Sequence, residues 1–219
     1  MSSGEVGCYA SHLVTFSTMV DRGIAAAIVL EDDVTLHDDF LATAEAAIRG
    51  APEGWDCIHL STRFKNPCFP IAKLDGDRRL VRYSRLPAGS AAYAISLSGA
   101  CKLLAPNVRT RPFDMEFRYA WLVDLDIFGV YPAAAVQESF LATTIDAPWR
   151  TKFKNSGLFG QRRLPKPRWS PHPLSQLWGA LFIKRKLGLA GTLTCWKNDV
   201  ARLLEVGFAP VKPRSPSRL

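Results

Sequence analysis

Three observations predict an α/β fold for this chain. A stretch with helical hydrophobic spacing, residues 4–22, is followed after a short link by an aliphatic run, residues 24–30. The same alternation of helical and strand-like segments continues downstream. At 219 residues, with 47% hydrophobic and 22% charged side chains, the chain is long enough for one packed domain with an appendage.

Each element has its own local signal. Val6, Tyr9, Leu13, Phe16 and Val20 recur at steps of three and four, the spacing of one helix face, and Gly23 stands where that helix stops. "IAAAIVL" is short and bounded by Gly23 and by acid, which predicts a strand buried on both faces. "HDDFLATAEAAIRGAP" predicts a helix with Asp38 or Asp39 as cap and with Gly50 and Pro52 closing it. "WDCIHLST" (55–62) reads as the next strand. In "FPIAKLDGDRRLVRYSRL" the Asp75-Gly76 pair predicts a hairpin turn between alternating stretches. "AGSAAYAISL" reads as a strand, "SGACKLLAP" as a helix opened by Ser98, and "DIFGVYP" (126–132) as a strand closed by Pro132. From Pro148 the texture turns rich in Pro, Gly and positive charge, which divides the chain into a domain at 1–147 and a basic linker with a helical tail at 148–219.

Charge follows the same division. Residues 1–150 carry 14 Lys and Arg against 18 Asp and Glu, whereas residues 151–219 carry 14 against 2, so the net charge of +8 belongs to the tail. "LSQLWGALFIKRKLGLAGTLTCWKNDVARLLEVGF" mixes Trp and Leu with Lys and Arg, which suits either an anionic membrane surface, through residues 174–205, or a helical pair packed on the domain. No recognised nucleic-acid motif accompanies the charge, and no nucleic acid is expected as a partner. Five scattered cysteines with no C-x-x-C pair argue against a disulfide framework and a zinc cluster. The N-terminus lacks a basic and apolar leader, and no apolar stretch of about 18 residues occurs, so a cytoplasmic location, peripheral at the inner membrane face, is expected.

The chemistry-bearing feature is Glu31-Asp32-Asp33, which ends the aliphatic run. In parallel α/β sheets ligands bind beyond the carboxyl ends of the strands. Along an extended chain Glu31 and Asp33 lean one way and Asp32 the other, giving two oxygen ligands for a hard cation, Mn²⁺ or Mg²⁺. Such an ion would stabilise charge on a departing diphosphate. The alternative is that these acids cap the next helix or face water.

Three blocks in order, "GEVGCYASHL", "AAIVLEDDVTLHDDF" and "AGSAAYAISLSGACKLL", resemble glycosyltransferase family 25, the lipooligosaccharide and collagen galactosyltransferases, over about residues 4–140. The resemblance implies a GT-A-like, Rossmann-like mixed sheet flanked by helices. It also implies an inverting, metal-assisted transfer of a hexose, galactose from UDP-galactose, to a lipopolysaccharide or lipooligosaccharide core sugar. Its partners are then a nucleotide-sugar donor and a glycolipid or oligosaccharide acceptor. Carried over by position, Glu31 and Asp33 hold the metal, and Asp32, Ser11, His12, Gly89, Ser90 and Tyr93 bind substrate. Asp114, in "RPFDMEF", is the first candidate for the catalytic base, with Asp124, Asp126 and Glu138 as rivals. A histidine on a helix facing the sheet is more often a satisfied core residue, which is the competing reading of His12; Tyr93 could equally be core, and Cys8 reads as packing. The family is expected to carry a further strand before the first block, which here begins at Gly4. That leaves a second reading, a non-catalytic remnant that binds carbohydrate or membrane.

Overall fold

The computed structural model describes residues 1–61, 68–137 and 173–208, the last of these with side chains over 174–197. Helix α1 (Ser3–Asp21) opens on a capping box: the Ser2 hydroxyl accepts from the Glu5 N–H and the Glu5 carboxylate accepts from the Ser2 N–H. Its buried stripe is Tyr9, His12, Phe16 and Met19. Val6 and Val20, expected on that face, are exposed. The helix turns this way because His12 finds a buried hydrogen-bond partner, which hydrophobic spacing cannot register.

Strand β1 (Ala26–Leu30) leads through a turn into β2 (Val34–Leu36) and then α2 (Phe40–Gly50). Asp39 occupies the cap position of α2 without capping it: its carboxylate accepts both Nε and Nη2 of Arg78, each at 2.7 Å. Strand β3 (Cys57–His59) precedes the expected hairpin, β4 (Cys68–Lys73) and β5 (Arg79–Tyr83). β6 (Ala92–Ser96) runs directly into α3 (Leu97–Leu104). The cap of α3 is Ser96, whose hydroxyl accepts from the Gly99 N–H, and not Ser98. Gly99 lets α3 lie against the start of β3, since a Cβ there would come 2.5 Å from the Asp56 carbonyl oxygen. Two 3-10 turns (Phe113–Met115 and Phe117–Leu122), β7 (Ile127–Tyr131) and β8 (Ala135–Gln137) complete the domain.

The six-stranded sheet has the order β1-β6-β3-β7-β5-β4, with β2 and β8 as a separate pair. Among the described strands of this sheet β3 and β7 are the only parallel neighbours. The expected strand buried on both faces is instead an edge strand, half-buried and antiparallel to β6. A short Ala-rich run has the same composition in either place, and only the number of neighbours separates them. β1, β3 and β7 nevertheless point the same way, so their carboxyl ends share one edge of the sheet.

Alternation along the strands divides the core in two. Tyr93, Ile95, Cys57 and Ile127 face α1, α3 and the 3-10 turns, with Phe16, Phe113 and Phe117. Ala92, Ala94, Ile58 and Phe128 face α2, with Phe40, Ala44 and Ala47. The result is a mixed α/β sheet flanked by helices. Helix α4 (Pro173–Phe208), kinked at Gly188, packs on β4, β5 and the second 3-10 turn. Gly179 sits under the Trp121 ring, and Leu187 and Cys195 are buried. The linker expected at 148–172 lies outside the described residues.

Candidate functional site

At the shared carboxyl edge, the chain leaves β1 at Glu31, whose N–H donates to the Ala91 carbonyl at 2.8 Å. This bond ties the acidic turn to the segment entering β6. The Glu31 carboxylate is about three-quarters buried. Its Oε1 accepts a short hydrogen bond from the Ser90 hydroxyl, and its Oε2 accepts from Gln137 Nε2 at 3.4 Å. The same Gln137 nitrogen donates to Asp33 Oδ2 at 2.9 Å. Glu31 and Asp33 therefore converge, while Asp32 is exposed. A turn at Asp32-Asp33 produces this arrangement in place of the extended-strand alternation expected from the sequence.

Burial pushes the Glu31 carboxyl above the usual carboxylate range. The Ser90 hydroxyl opposes this, and the charges of Asp33, Asp114 and Asp32 add to the rise. Glu31 thus senses every acid of the proposed set, including Asp114, which is distant in sequence. The Gly89 N–H donates to the Asp114 carbonyl at 3.0 Å, holding the first 3-10 turn beside Ser90. Asp114 is half-buried. Asp33 Oδ1 is buried and has no hydrogen-bond partner among the described residues. A buried carboxylate oxygen left unpaired costs free energy unless a cation or donor meets it, so the oxygen set fits a hard divalent ion.

Behind this shelf, His12 is buried and its Nδ1 is 2.8 Å from the Tyr93 hydroxyl. Its ring stacks on Phe113 at 3.8 Å, and Nε2 lies 3.9 Å from Glu31 Oε1. Burial lowers the His12 pKa to about 4, so the ring is neutral at pH 7. Tyr93 is fully buried, which makes its hydroxyl a support for His12 and removes it from any ligand-facing surface. Ser11 is exposed and its hydroxyl donates back to the Gly7 carbonyl within α1, so the structure does not bring it to the carboxylates among the described residues.

Two of the rivals to Asp114 belong elsewhere. Asp126 precedes β7, at the opposite edge of the sheet, and is held by Arg82 at 2.6 Å and Lys186 at 3.6 Å. Asp124 is exposed beside it, and its carbonyl accepts from Lys102. A cavity at that edge, between Arg82, Leu125, Asp126, Phe182 and Lys186, has a volume of about 20 Å³, room for water and not for a sugar nucleotide. Glu138 lies outside the described residues.

Sequence reasoning missed Gln137, the residue that draws the two carboxylates together. It also missed a buried polar chain under α1: Tyr9 donates to Glu116 at 3.0 Å, Arg109 donates to the Tyr9 hydroxyl at 2.6 Å, and Arg111 lies 3.5 Å from Glu116. The signal available for Gln137 was its place directly after the short apolar run of residues 133–136, too common a pattern to single it out.

The sequence profile of glycosyltransferase family 25 (LPS biosynthesis protein) matches residues 1–116, over half of the chain. The chain belongs to glycosyltransferase family 25. Relatives in this family include the mouse (Mus musculus) protein named inactive glycosyltransferase 25 family member 3, 30% identical over 174 residues, covering 71% of this chain and 28% of the relative. The human (Homo sapiens) protein of that name is 31% identical over 175 residues, with the same coverage. Procollagen galactosyltransferase 1-A of Xenopus laevis is 34% identical over 121 residues, covering 52% of this chain and 19% of the relative. The chain thus spans less than a third of the length of these relatives. Family 25 membership supports a transferase acting on a sugar donor and an acceptor, and the relatives include proteins named as inactive.

Proposed function

We propose that this family 25 chain transfers a hexose, galactose from UDP-galactose, to a sugar of a lipopolysaccharide or lipooligosaccharide core, with inversion, in a GT-A-like domain. The observation that carries this reading is the convergence of Glu31 and Asp33 through Gln137, with Asp33 Oδ1 left without a partner among the described residues and Asp114 close enough to raise the Glu31 pKa. Glu31 and Asp33 would hold Mn²⁺ or Mg²⁺, with Asp32 on the exposed side toward the donor. When bound, the ion supplies Lewis-acid stabilisation of the leaving diphosphate. Ser90 and Gln137 hold the Glu31 carboxylate in place, and Gly89, at φ +120°, permits a close backbone approach beside it. Asp114 takes the proton from the acceptor hydroxyl as general base. His12 acts on this site from α1 through Glu31, whose Oε1 lies 3.9 Å from its Nε2.

The acceptor side draws support from α4. Its outward face exposes Leu174, Leu177, Trp178, Leu181, Leu193 and Trp196, each at least half-exposed. Lys184, Arg185 and Lys197 share the helix. No helix among the described residues is long and apolar enough to cross a membrane. An apolar stripe with flanking cations suits a helix lying on an anionic lipid surface, where a lipid-linked acceptor would be presented at the cytoplasmic face of the inner membrane.

The deciding experiment is Mn²⁺-dependent transfer or hydrolysis of UDP-galactose by the wild-type chain and by Asp33→Asn. Loss of a cation ligand should lower turnover by at least about 100-fold, on the scale of a lost transition-state charge contact. Equal turnover in both proteins overturns the metal assignment. Absence of turnover in the wild type, with sugar or lipid binding retained, supports the non-catalytic reading.

A further inference from the structure

We propose that Cys8, His12 and Glu31 form a second cation site, built for a borderline-soft divalent ion such as Zn²⁺. One donor atom from each of the three lies within 4.8 Å of the other two. Cys8 and His12 are four residues apart on α1 and so share a helix face, and Glu31 comes to that face from the end of β1.

The imidazole is already oriented. Its Nδ1 is engaged with the buried Tyr93 hydroxyl at 2.8 Å, which turns Nε2 toward Glu31 Oε1 at 3.9 Å. Fixing a ring through its far nitrogen is how proteins commonly orient a metal-binding histidine. The stack on Phe113 holds the ring plane as well. Few of these features are needed for packing alone, since an apolar residue at position 12 would fill the same space without bringing a nitrogen to a carboxylate.

The donor chemistry separates this site from the all-oxygen pair of Glu31 and Asp33. Sulfur and imidazole nitrogen select zinc-like ions, whereas oxygen alone selects Mg²⁺ or Mn²⁺. Glu31 is common to both sides, presenting Oε1 to His12 and Oε2 to Gln137. On ligation the Cys8 thiol gives its proton to solvent and the thiolate binds. Three protein ligands leave one position of a tetrahedral ion open. The ion would pin the N-terminal half of α1 to the acidic turn. The site shares Glu31 with the proposed Mn²⁺ or Mg²⁺ ligands but goes beyond the transferase reading, since its occupancy requires no turnover and no nucleotide.

Co²⁺ added to the metal-free protein in place of Zn²⁺ tests the assignment spectroscopically. The expected result is a thiolate-to-cobalt charge-transfer band with visible tetrahedral bands, reached at one ion per chain, displaced by Zn²⁺ and not by Mg²⁺. The band should vanish in Cys8→Ser and persist in the Cys68→Ser/Cys195→Ser double variant, which removes the other neighbouring pair of thiols. A second measurement needs no variant: alkylation of Cys8 in the wild type, followed by mass spectrometry, with exposed Cys101 as internal control. At Zn²⁺ about 100-fold above its dissociation constant, roughly 1% of the site is unliganded, so Cys8 alkylation slows about 100-fold while Cys101 is unchanged. No charge-transfer band, a band that survives Cys8→Ser, or Cys8 alkylation indifferent to Zn²⁺ overturns the proposal.

Discussion

His59 gives the most direct test of the core. It lies in β3, is 1% exposed, and has the rings of Tyr83 and Phe117 edge-on at centroid distances of 6.3 and 5.0 Å. Its Nε2 is buried without a hydrogen-bond partner among the described residues. Burial with no compensating anion lowers its pKa from 6.5 to about 4. The unfolded chain therefore binds a proton between these values that the folded chain refuses. Stability from this residue is complete above about pH 6.5 and is lost as pH falls toward 4. At ~1.36 kcal/mol per pKa unit the whole effect is about 3 kcal/mol, a large share of the roughly 5–15 kcal/mol that stabilises a domain. His59→Leu removes the titration while keeping an apolar group of similar size in the cavity. Urea unfolding of both proteins from pH 7.5 to 4.5 reads the difference, and the His12 contribution is present in both and cancels. The wild type should lose roughly 2 to 3 kcal/mol more than His59→Leu over this interval, which stops short of the folded-state pKa. Parallel stability curves would refute the assignment of a neutral, desolvated imidazole at this position.

Three further outcomes follow from the site and the tail. Gln137→Ala leaves Glu31 and Asp33 facing one another without their shared donor, so Mn²⁺ affinity measured by calorimetry should fall about 10- to 100-fold, as for other residues that orient metal ligands, with little change in melting temperature. Gly89→Ala forces a side chain onto a backbone at φ +120° and should cost about 1–3 kcal/mol, read as a fall in melting temperature of roughly 2–4 °C per kcal/mol. An unchanged melting temperature would mean that the Ser90 loop relaxes without strain. Trp178→Ser with Trp196→Ser removes two exposed indoles from α4, and binding to anionic vesicles in a flotation assay should weaken by at least about tenfold per indole, while binding to neutral vesicles stays low in both proteins.

Local chemistry made much of this protein legible in its sequence. The helix over residues 3–21, the hairpin around Asp75-Gly76, the strand ending at Tyr131 and the helical tail each depend on spacing, turn residues or composition, which act within a few neighbouring residues. The acidic triplet was legible for the same reason, because three adjacent carboxylates after an aliphatic run are costly wherever they sit. The family blocks likewise kept their order and spacing along the chain, and the profile match covers all three.

What only the tertiary structure decided was who stands beside whom. The sequence could not place β1 at the sheet edge, since burial on one face or two depends on neighbours 62 to 70 residues away. It could not turn α1 to bury His12, because the partner that makes a polar residue tolerable there, Tyr93, lies on another element. Nor could it bring Gln137 to Glu31 and Asp33, or send Asp124 and Asp126 to the far edge of the sheet. Hydrogen bonds and charge coupling act through space at a few ångströms, and the chain carries no local mark of contacts between residues a hundred positions apart.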